Sequence, residues 1–322
     1  MKLVALRVAS ALTALVATTA LLTSCAATAG SGTSEGETLT VTTEFGEVTV
    51  PVQPKAALGF YTTDVDMLIT MGYPLAKSQP IRADWDTFPG FFPKQELEGI
   101  EGFHNYPEFN LEKVLDIGPD FILNGLGYET DLHGKLSAIA PTYTYNGFDG
   151  GDWRKKFLAV AKDLGREDKA QAWLDRYHAR IAEVKKDLDA QGIAPTVADV
   201  SFWDGQVSVG CYSISCLVFA DLGLEISPLA DGDGDGMVDN QGRALSMEQL
   251  GQLSDIDVIF SGVSEDGSGL ITGEDALKGN SLWTSLPAVA NGRVYGYNYE
   301  MSYGSPSGQD GLLEVIRKAL LG

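Results

Sequence analysis

The chain has 322 residues, 44% hydrophobic and 21% charged, an ordinary globular composition with enough apolar material for two cores. Its 23 Lys and Arg stand against 44 Asp and Glu, a formal charge of −21, so nucleic acid and anionic membrane surfaces are excluded as electrostatic partners because both would be repelled.

Lys2 and Arg7 precede an apolar segment, Val8 to Leu22, too short to span a bilayer and suited to the h-region of a secretory signal. Leu22-Thr23-Ser24-Cys25 then resembles a bacterial lipobox. That implies a signal peptide over 1–24 and a lipid on Cys25 that anchors the chain outside the cytoplasm. Residues 25–37 are small and polar and read as a flexible tether, ~50 Å at most when nearly extended. Gly32-Thr33-Ser34-Glu35-Gly36 has the letters of a G-x-S-x-G motif, but no strand precedes it and no helix follows to build a nucleophile elbow.

From residue 38 to 151 strands and helices alternate in a first α/β lobe. Thr38–Thr43 and Glu47–Val50 alternate around Glu44-Phe45-Gly46 as a hairpin. Ala56–Tyr61 reads as a short strand, Asp64–Met71 as a helix stopped by Gly72, and Pro74–Lys77 as a second strand. It opens into a loop carrying Arg82, Trp85, Phe88, Phe91 and Phe92, which either caps the lobe's own core or forms a ligand surface at strand ends. Asn110–Leu123 reads as a capped helix, a turn and a buried strand.

Residues 152–191 are helical, in two pieces, Asp152–Leu164 and Glu167–Ala190, broken at Gly165-Arg166. The second has no Gly or Pro, and Ala170, Trp173, Leu174, Tyr177, Ile181, Val184 and Leu188 form one apolar stripe. Such a helix is about 35 Å long, enough to cross between lobes as a strut.

Residues 192–322 resume the alternation as a second α/β lobe. Thr196–Phe202 is a strand, Trp203–Gln206 a loop, and Ile214–Leu222 a helix ended by Gly223. With Cys25 acylated, Cys211 and Cys216 remain; an even pair in an exported chain suggests a small-loop disulfide, with two free thiols as the alternative. Asp231, Asp233, Asp235 and Asp239 occupy EF-hand positions, but position 12 is Gly242 where a bidentate Glu should stand. The loop is therefore either a structural Ca²⁺ site or an acidic solvated turn. Leu245–Leu253 reads as a helix started by Ser246, Val258–Ser261 as a strand, and Arg293–Tyr299 as a strand that leaves Tyr297, Tyr299 and Tyr303 near a lobe edge.

Five stretches, in order, resemble the iron-siderophore and cobalamin binding proteins of bacterial ABC importers. They are T-x-x-F-G-x-V-x-V-P-x-x-P-K from Thr42 to Lys55, N-L-E-K-x-L-x-x-x-P-D-x-I from Asn110, Ala138–Thr142, Ser246–Leu250, and P-A-V-x-x-G-R-V-Y from Pro287. The resemblance implies two Rossmann-like lobes joined by a single long α-helix, with a ligand cleft between them. It implies a monomeric binding protein with no catalytic residues and no required cofactor, which takes a ferric siderophore to a permease and its ATPase. Glu112 and Glu248 match the acids that dock to the permease, and both also fit a helix's first turn. Arg82, Trp85, Phe88, Tyr106, Tyr128, Trp203, Tyr297 and Tyr299 are the candidate ligand contacts, aromatic walls with a polar anchor. Trianionic catecholates call for several Arg or Lys, which this chain does not collect, so a neutral or cationic ferric hydroxamate is expected. Haem and cobalamin stay open as ligands. A surface hydrolase and a zinc or manganese receptor fit poorly, because His104, His133 and His178 are scattered. A single helical connection, lacking extended crossovers, predicts little lobe closure.

Overall fold

The Thr/Val alternation after residue 37 becomes an antiparallel hairpin of β1 (Thr38–Thr43) and β2 (Gly46–Pro51), in the computed structural model that describes residues 36–210, 214–230 and 242–322. Cys25, Cys211, Asp231, Asp233, Asp235 and Asp239 lie outside the described residues. The first lobe follows with β3 (Ala57–Gly59), α1 (Thr62–Thr70), β4 (Ser78–Arg82), β5 (Glu101–Tyr106), α2 (Leu111–Ile117), β6 (Phe121–Asn124), α3 (Thr130–Ser137) and β7 (Thr142–Thr144). Its parallel strands form two groups, β3-β6-β7 and β4-β5.

The strand expected at Pro74–Lys77 starts instead at Ser78; before it, Leu75 makes only one bridge, to Ala57. Pro80 lies inside β4 and has no N–H for a ladder toward β3. The buried Gln79 side chain supplies the missing bonds: its Oε1 accepts from Gly59 N–H at 3.0 Å and its Nε2 donates to the Ala57 carbonyl at 2.9 Å. Gly59 is required where α1 begins, since a Cβ there would sit 2.4 Å from the Val65 amide nitrogen.

The helical segment is α4 (Trp153–Asp163) and α5 (Glu167–Gln191), separated at Gly165, which holds φ +67. Acidic Glu167 and Asp168 suit the start of α5, and Gly192 in the left-handed region ends it. The stripe is realised: Ala170, Trp173, Tyr177, Ile181, Val184 and Leu188 are buried, and Leu174 packs against them at the margin. Burying each of the larger side chains contributes about 1.5–3 kcal/mol.

The second lobe contains β8 (Thr196–Trp203), β9 (Gln206–Gly210), α6 (Ser215–Leu222), β10 (Glu225–Ile226), β11 (Arg243–Leu245), β12 (Val258–Val263), α7 (Asp275–Lys278), α8 (Ser281–Thr284), α9 (Pro287–Ala290), β13 (Val294–Asn298) and α10 (Pro306–Leu321). Its sheet runs β11-β9-β8-β12-β13, with β10 beside β8; the β8-β12-β13 centre is parallel and β9 and β11 are antiparallel.

The helix expected over Leu245–Leu253 does not form. Leu245 instead pairs with Val207 as the end of β11, Ser246–Gln249 is a turn closed by the Gln249 side chain on the Ser246 N–H, and Leu250–Asp255 is a 3₁₀ helix burying Leu250 and Leu253. Gly242 leads into β11 at φ +54, where a Cβ would fall 1.7 Å from the Val209 carbonyl. Strand pairing therefore dictates glycine at the twelfth position of the acidic loop. Cys216 is buried and disulfide-bonded.

One hydrophobic core runs through both lobes: Leu68 and Phe121 from the first, Phe219 and Phe260 from the second, the α5 stripe, and Leu312 and Ile316 of α10. Each lobe adds an outer core of its own. The long helix carries the chain between the lobes as expected, and α10 adds a packing contact, lying against α1, α5 and α6. Asp66 of α1 accepts hydrogen bonds from Ser307 N–H and Oγ at the start of α10, both 2.6 Å.

Candidate interlobe ligand cleft

Parallel strands in both lobes end on the same seam, the place where open α/β sheets hold ligands. Tyr61 follows β3, Arg82 and Asp84 end β4, Tyr106 ends β5, Tyr128 and Phe148 lie on the loops after β6 and β7, and Tyr299, Glu300 and Tyr303 follow β13. Arg82 is the centre. Its guanidinium stands 5.0 Å from the ring centroids of both Tyr106 and Tyr299, one from each lobe. Nε reaches Asp84 Oδ1 at 3.2 Å, and Nη1 donates to Tyr61 Oη at 3.1 Å and lies 3.3 Å from Glu300 Oε1. Nη2 makes no hydrogen bond among the described residues, and the side chain keeps 16% exposure, so one amino group of the fork is left for a ligand.

The carboxylate of Glu300 is 2% exposed and joins the lobes: it accepts from Tyr61 Oη at 2.9 Å and from Thr62 Oγ1 at 2.6 Å. Burial pushes its pKa up, opposed by Thr62, Arg82 and Tyr61. Burial pulls against the charge of Arg82, but Tyr61 and Glu300 outweigh it and the guanidinium stays protonated. Asp84 accepts from Tyr299 Oη at 2.9 Å; burial opposes its ionisation, yet the Tyr299 and Arg82 bonds hold its pKa below the ordinary carboxylate value. Tyr61 and Tyr299 are both pushed up, first by burial, and their hydroxyls donate to Glu300 and Asp84 respectively. Among the described residues no group of three or more His, Cys, Asp or Glu is placed to hold a metal ion.

Around the fork the rings make a continuous wall. Tyr61 meets Tyr106 at 5.2 Å, Phe148 at 5.7 Å and Tyr303 at 6.3 Å, and Phe148 also meets Tyr128 at 6.0 Å and Tyr303 at 5.9 Å. Of the sequence-derived candidates, Arg82, Tyr106, Tyr128 and Tyr299 come together here. Trp85 is buried 6.0 Å from Tyr299, and its indole N–H has no hydrogen-bond partner among the described residues. Phe88 is half-buried in the same loop. Trp203 stands at the β8–β9 turn with 82% exposure, at the strand end but outside the ring cluster.

Tyr297 is not on this surface. It is buried and donates to Asp199 Oδ2 at 2.6 Å, beside the Ser215 hydroxyl on the same oxygen. Sequence reasoning placed Tyr297 and Tyr299 on one strand, where alternate residues share a face. The strand ends at Asn298, and the 3₁₀ turn Tyr299–Tyr303 swings Tyr299 to the cleft. Tyr61, Asp84, Phe148 and Glu300 were missed; their position at strand ends was the available signal.

Glu112 is exposed in the first turn of α2, whose N-cap is Asn110 accepting from Lys113 N–H at 3.0 Å, so the cap does not need Glu112. Glu248 is exposed in a turn and not a helix, and accepts from Ser246 Oγ at 2.8 Å.

A family profile described as "Periplasmic binding protein" matches residues 87–300. The iron(3+)-hydroxamate-binding protein FhuD of Bacillus subtilis is 27% identical over 299 residues, 88% of this chain and 87% of that protein. The Fe(3+)-citrate-binding protein YfmC of the same organism is 26% identical over 273 residues, 83% of this chain and 80% of that protein. The solved FhuD protein from S. pseudintermedius superposes with a TM-score of 0.66 at 18% identity, covering 89% of this chain and 99% of that one, a likeness of fold.

Proposed function

Since the chain belongs to the periplasmic binding protein family, we propose that it is the substrate-binding component of an ABC importer that captures a ferric siderophore in the interlobe cleft. It is a binding protein and not an enzyme. The observation that carries this is Arg82, held between a tyrosine of each lobe with one amino group unpaired among the described residues, inside a wall of aromatic rings. A ferric siderophore offers metal-bound oxygens to such a donor and an apolar backbone to such rings. The hydroxamate class is favoured because one cation already paired with carboxylates cannot neutralise a polyanion, and because FhuD of B. subtilis carries hydroxamate in its name.

In this reading Arg82, Tyr106, Tyr128 and Tyr299 contact the ligand directly, Trp85 and Phe88 back the Arg82 loop, and Trp203 offers a further exposed ring at the strand end of the second lobe. Glu112 and Glu248 dock to the permease with its ATPase, and a lipid on Cys25 holds a monomer at the outer face of the cell membrane. Among the described residues no helix is long and apolar enough to cross a membrane. Cys211 pairs with Cys216. A structural Ca²⁺ on Asp231, Asp233, Asp235 and Asp239 is tested by a chelator: a lowered melting temperature supports it, and indifference to excess Ca²⁺ removes it.

Protein purified from iron-limited cells carries the absorbance of a ferric hydroxamate, and tryptophan fluorescence of the apo form is quenched by ferric trihydroxamates at submicromolar concentration. Haem or corrin bands, or quenching by a tris-catecholate alone, would overturn the hydroxamate assignment.

A further inference from the structure

The polar centre of the cleft holds one guanidinium and two carboxylates: Asp84 at 3.2 Å and Glu300 at 3.3 Å from Arg82. Glu300 is sealed by Tyr61 and Thr62, whereas the Asp84 side chain keeps 52% exposure and faces the opening beside Tyr299. A third carboxylate, Glu265, lies on the same interlobe seam, accepting from Gly90 N–H and from Asn298 Nδ2. An arriving ligand therefore meets Arg82 as a directional donor whose positive field is cancelled at close range. With both partners ionised the trio is net negative.

We propose that Asp84, with Glu300 behind it, is the charge-selectivity determinant of the cleft, admitting neutral and monocationic ferric chelates and rejecting polyanionic ones. This rests on the siderophore-binding reading above. Coulomb energy scales with the ligand's own charge, so removing one negative charge shifts the logarithm of affinity in proportion to that charge and with opposite sign for cation and anion. A residue that only positions Arg82 would instead change all ligands alike.

The test is fluorescence titration of the full mature chain and Asp84→Asn with three iron chelates: a cationic linear trihydroxamate (+1), a neutral cyclic trihydroxamate, and a tris-catecholate (−3). For D84N, binding of the cation weakens about 3-fold, the neutral chelate changes less than 2-fold, and the trianion tightens about 30-fold, the two charged effects shrinking in high salt. Glu300→Gln, checked for folding by its denaturation curve, shifts the three in the same order. Equal weakening of all three by D84N, or no charge-ordered change, overturns the selectivity role while leaving siderophore binding intact. No binding of any chelate by the wild-type chain refutes the underlying function instead.

Discussion

Replacing Glu300 by alanine removes the one carboxylate that three groups of the first lobe share. Tyr61 Oη and Thr62 Oγ1 lose acceptors at 2.9 and 2.6 Å, and Arg82 loses an ion pair at 3.3 Å. Glu300 is 2% exposed, so water does not readily replace it at the hydroxyls. Leaving one partner of a buried charge pair alone costs about 3–5 kcal/mol, and a bond to a charged group about 1.5–3 kcal/mol. Arg82 retains Asp84, which places the total at the lower end, about 3–4 kcal/mol. At roughly 2 °C per kcal/mol for a chain of this size, Glu300→Ala melts about 6–8 °C below wild type in calorimetry. Glu300→Gln keeps an acceptor oxygen and loses about half as much. Urea denaturation followed by tryptophan fluorescence measures the same quantity, and a cycle with Tyr61→Phe gives a coupling of about 1–2 kcal/mol. A loss below 1 kcal/mol for Glu300→Ala, or no coupling to Tyr61, refutes the view that Glu300 ties the lobes together.

Asp64 is buried, accepts from Tyr61 N–H, Gly125 N–H and Tyr145 Oη, and its pKa is raised to about 7, mainly by burial. The folded state thus binds this proton more tightly than the unfolded one, so its stabilisation is full below about pH 4 and lost as pH rises through 7; Asp64→Asn gains on wild type by about 2–3 kcal/mol between pH 5 and 7.5 in urea titrations, and a pH-independent difference would contradict this. The pair Glu112→Ala and Glu248→Ala abolishes uptake in cells while ligand affinity in vitro stays within 2-fold; unchanged uptake rejects the docking role. Small-angle scattering shows less than about 1 Å change in radius of gyration on ligand binding, since a core shared by both lobes resists a hinge; a larger compaction would show that the α5 and α10 contacts rearrange.

The elements legible in the sequence were those specified locally. The α5 stripe repeats every three to four residues and packs as read; β1 and β2 alternate and pair as read; Gly165 and Gly223 end helices where a left-handed residue is needed. The sequence puts Arg82 in the loop that opens after the second strand, and the resemblance puts Tyr106 among the cleft contacts. What failed depended on distant partners. Leu245 became a strand residue because β9 lies beside it, and Gly242 stands where a calcium ligand was wanted because the Val209 carbonyl leaves no room for a Cβ. Gln79 looks like an ordinary polar residue until Pro80 is seen to deprive β4 of a ladder bond that Gln79 then restores.

Glu300 is the clearest case, separated from Thr62 by 238 residues and visible only when both lobes are assembled. Its burial has a functional consequence. The tie that joins the lobes and the ion pair that orients Arg82 are the same carboxylate, so the donor geometry at the cleft floor is set by the interlobe contact itself. Asp66 on Ser307 and α10 on α1 hold that contact from behind. In the proposed reading a ligand meets a fork already aimed and rings already packed edge to face, and its binding energy is not diverted into closing the lobes. In the proposed docking role, the same rigidity would keep Glu112 and Glu248 at one spacing with or without cargo. A permease docked on those two acids, as proposed, would then sense the loaded state through the ligand or the loops around Arg82 and Tyr128, and not through the distance between the acids.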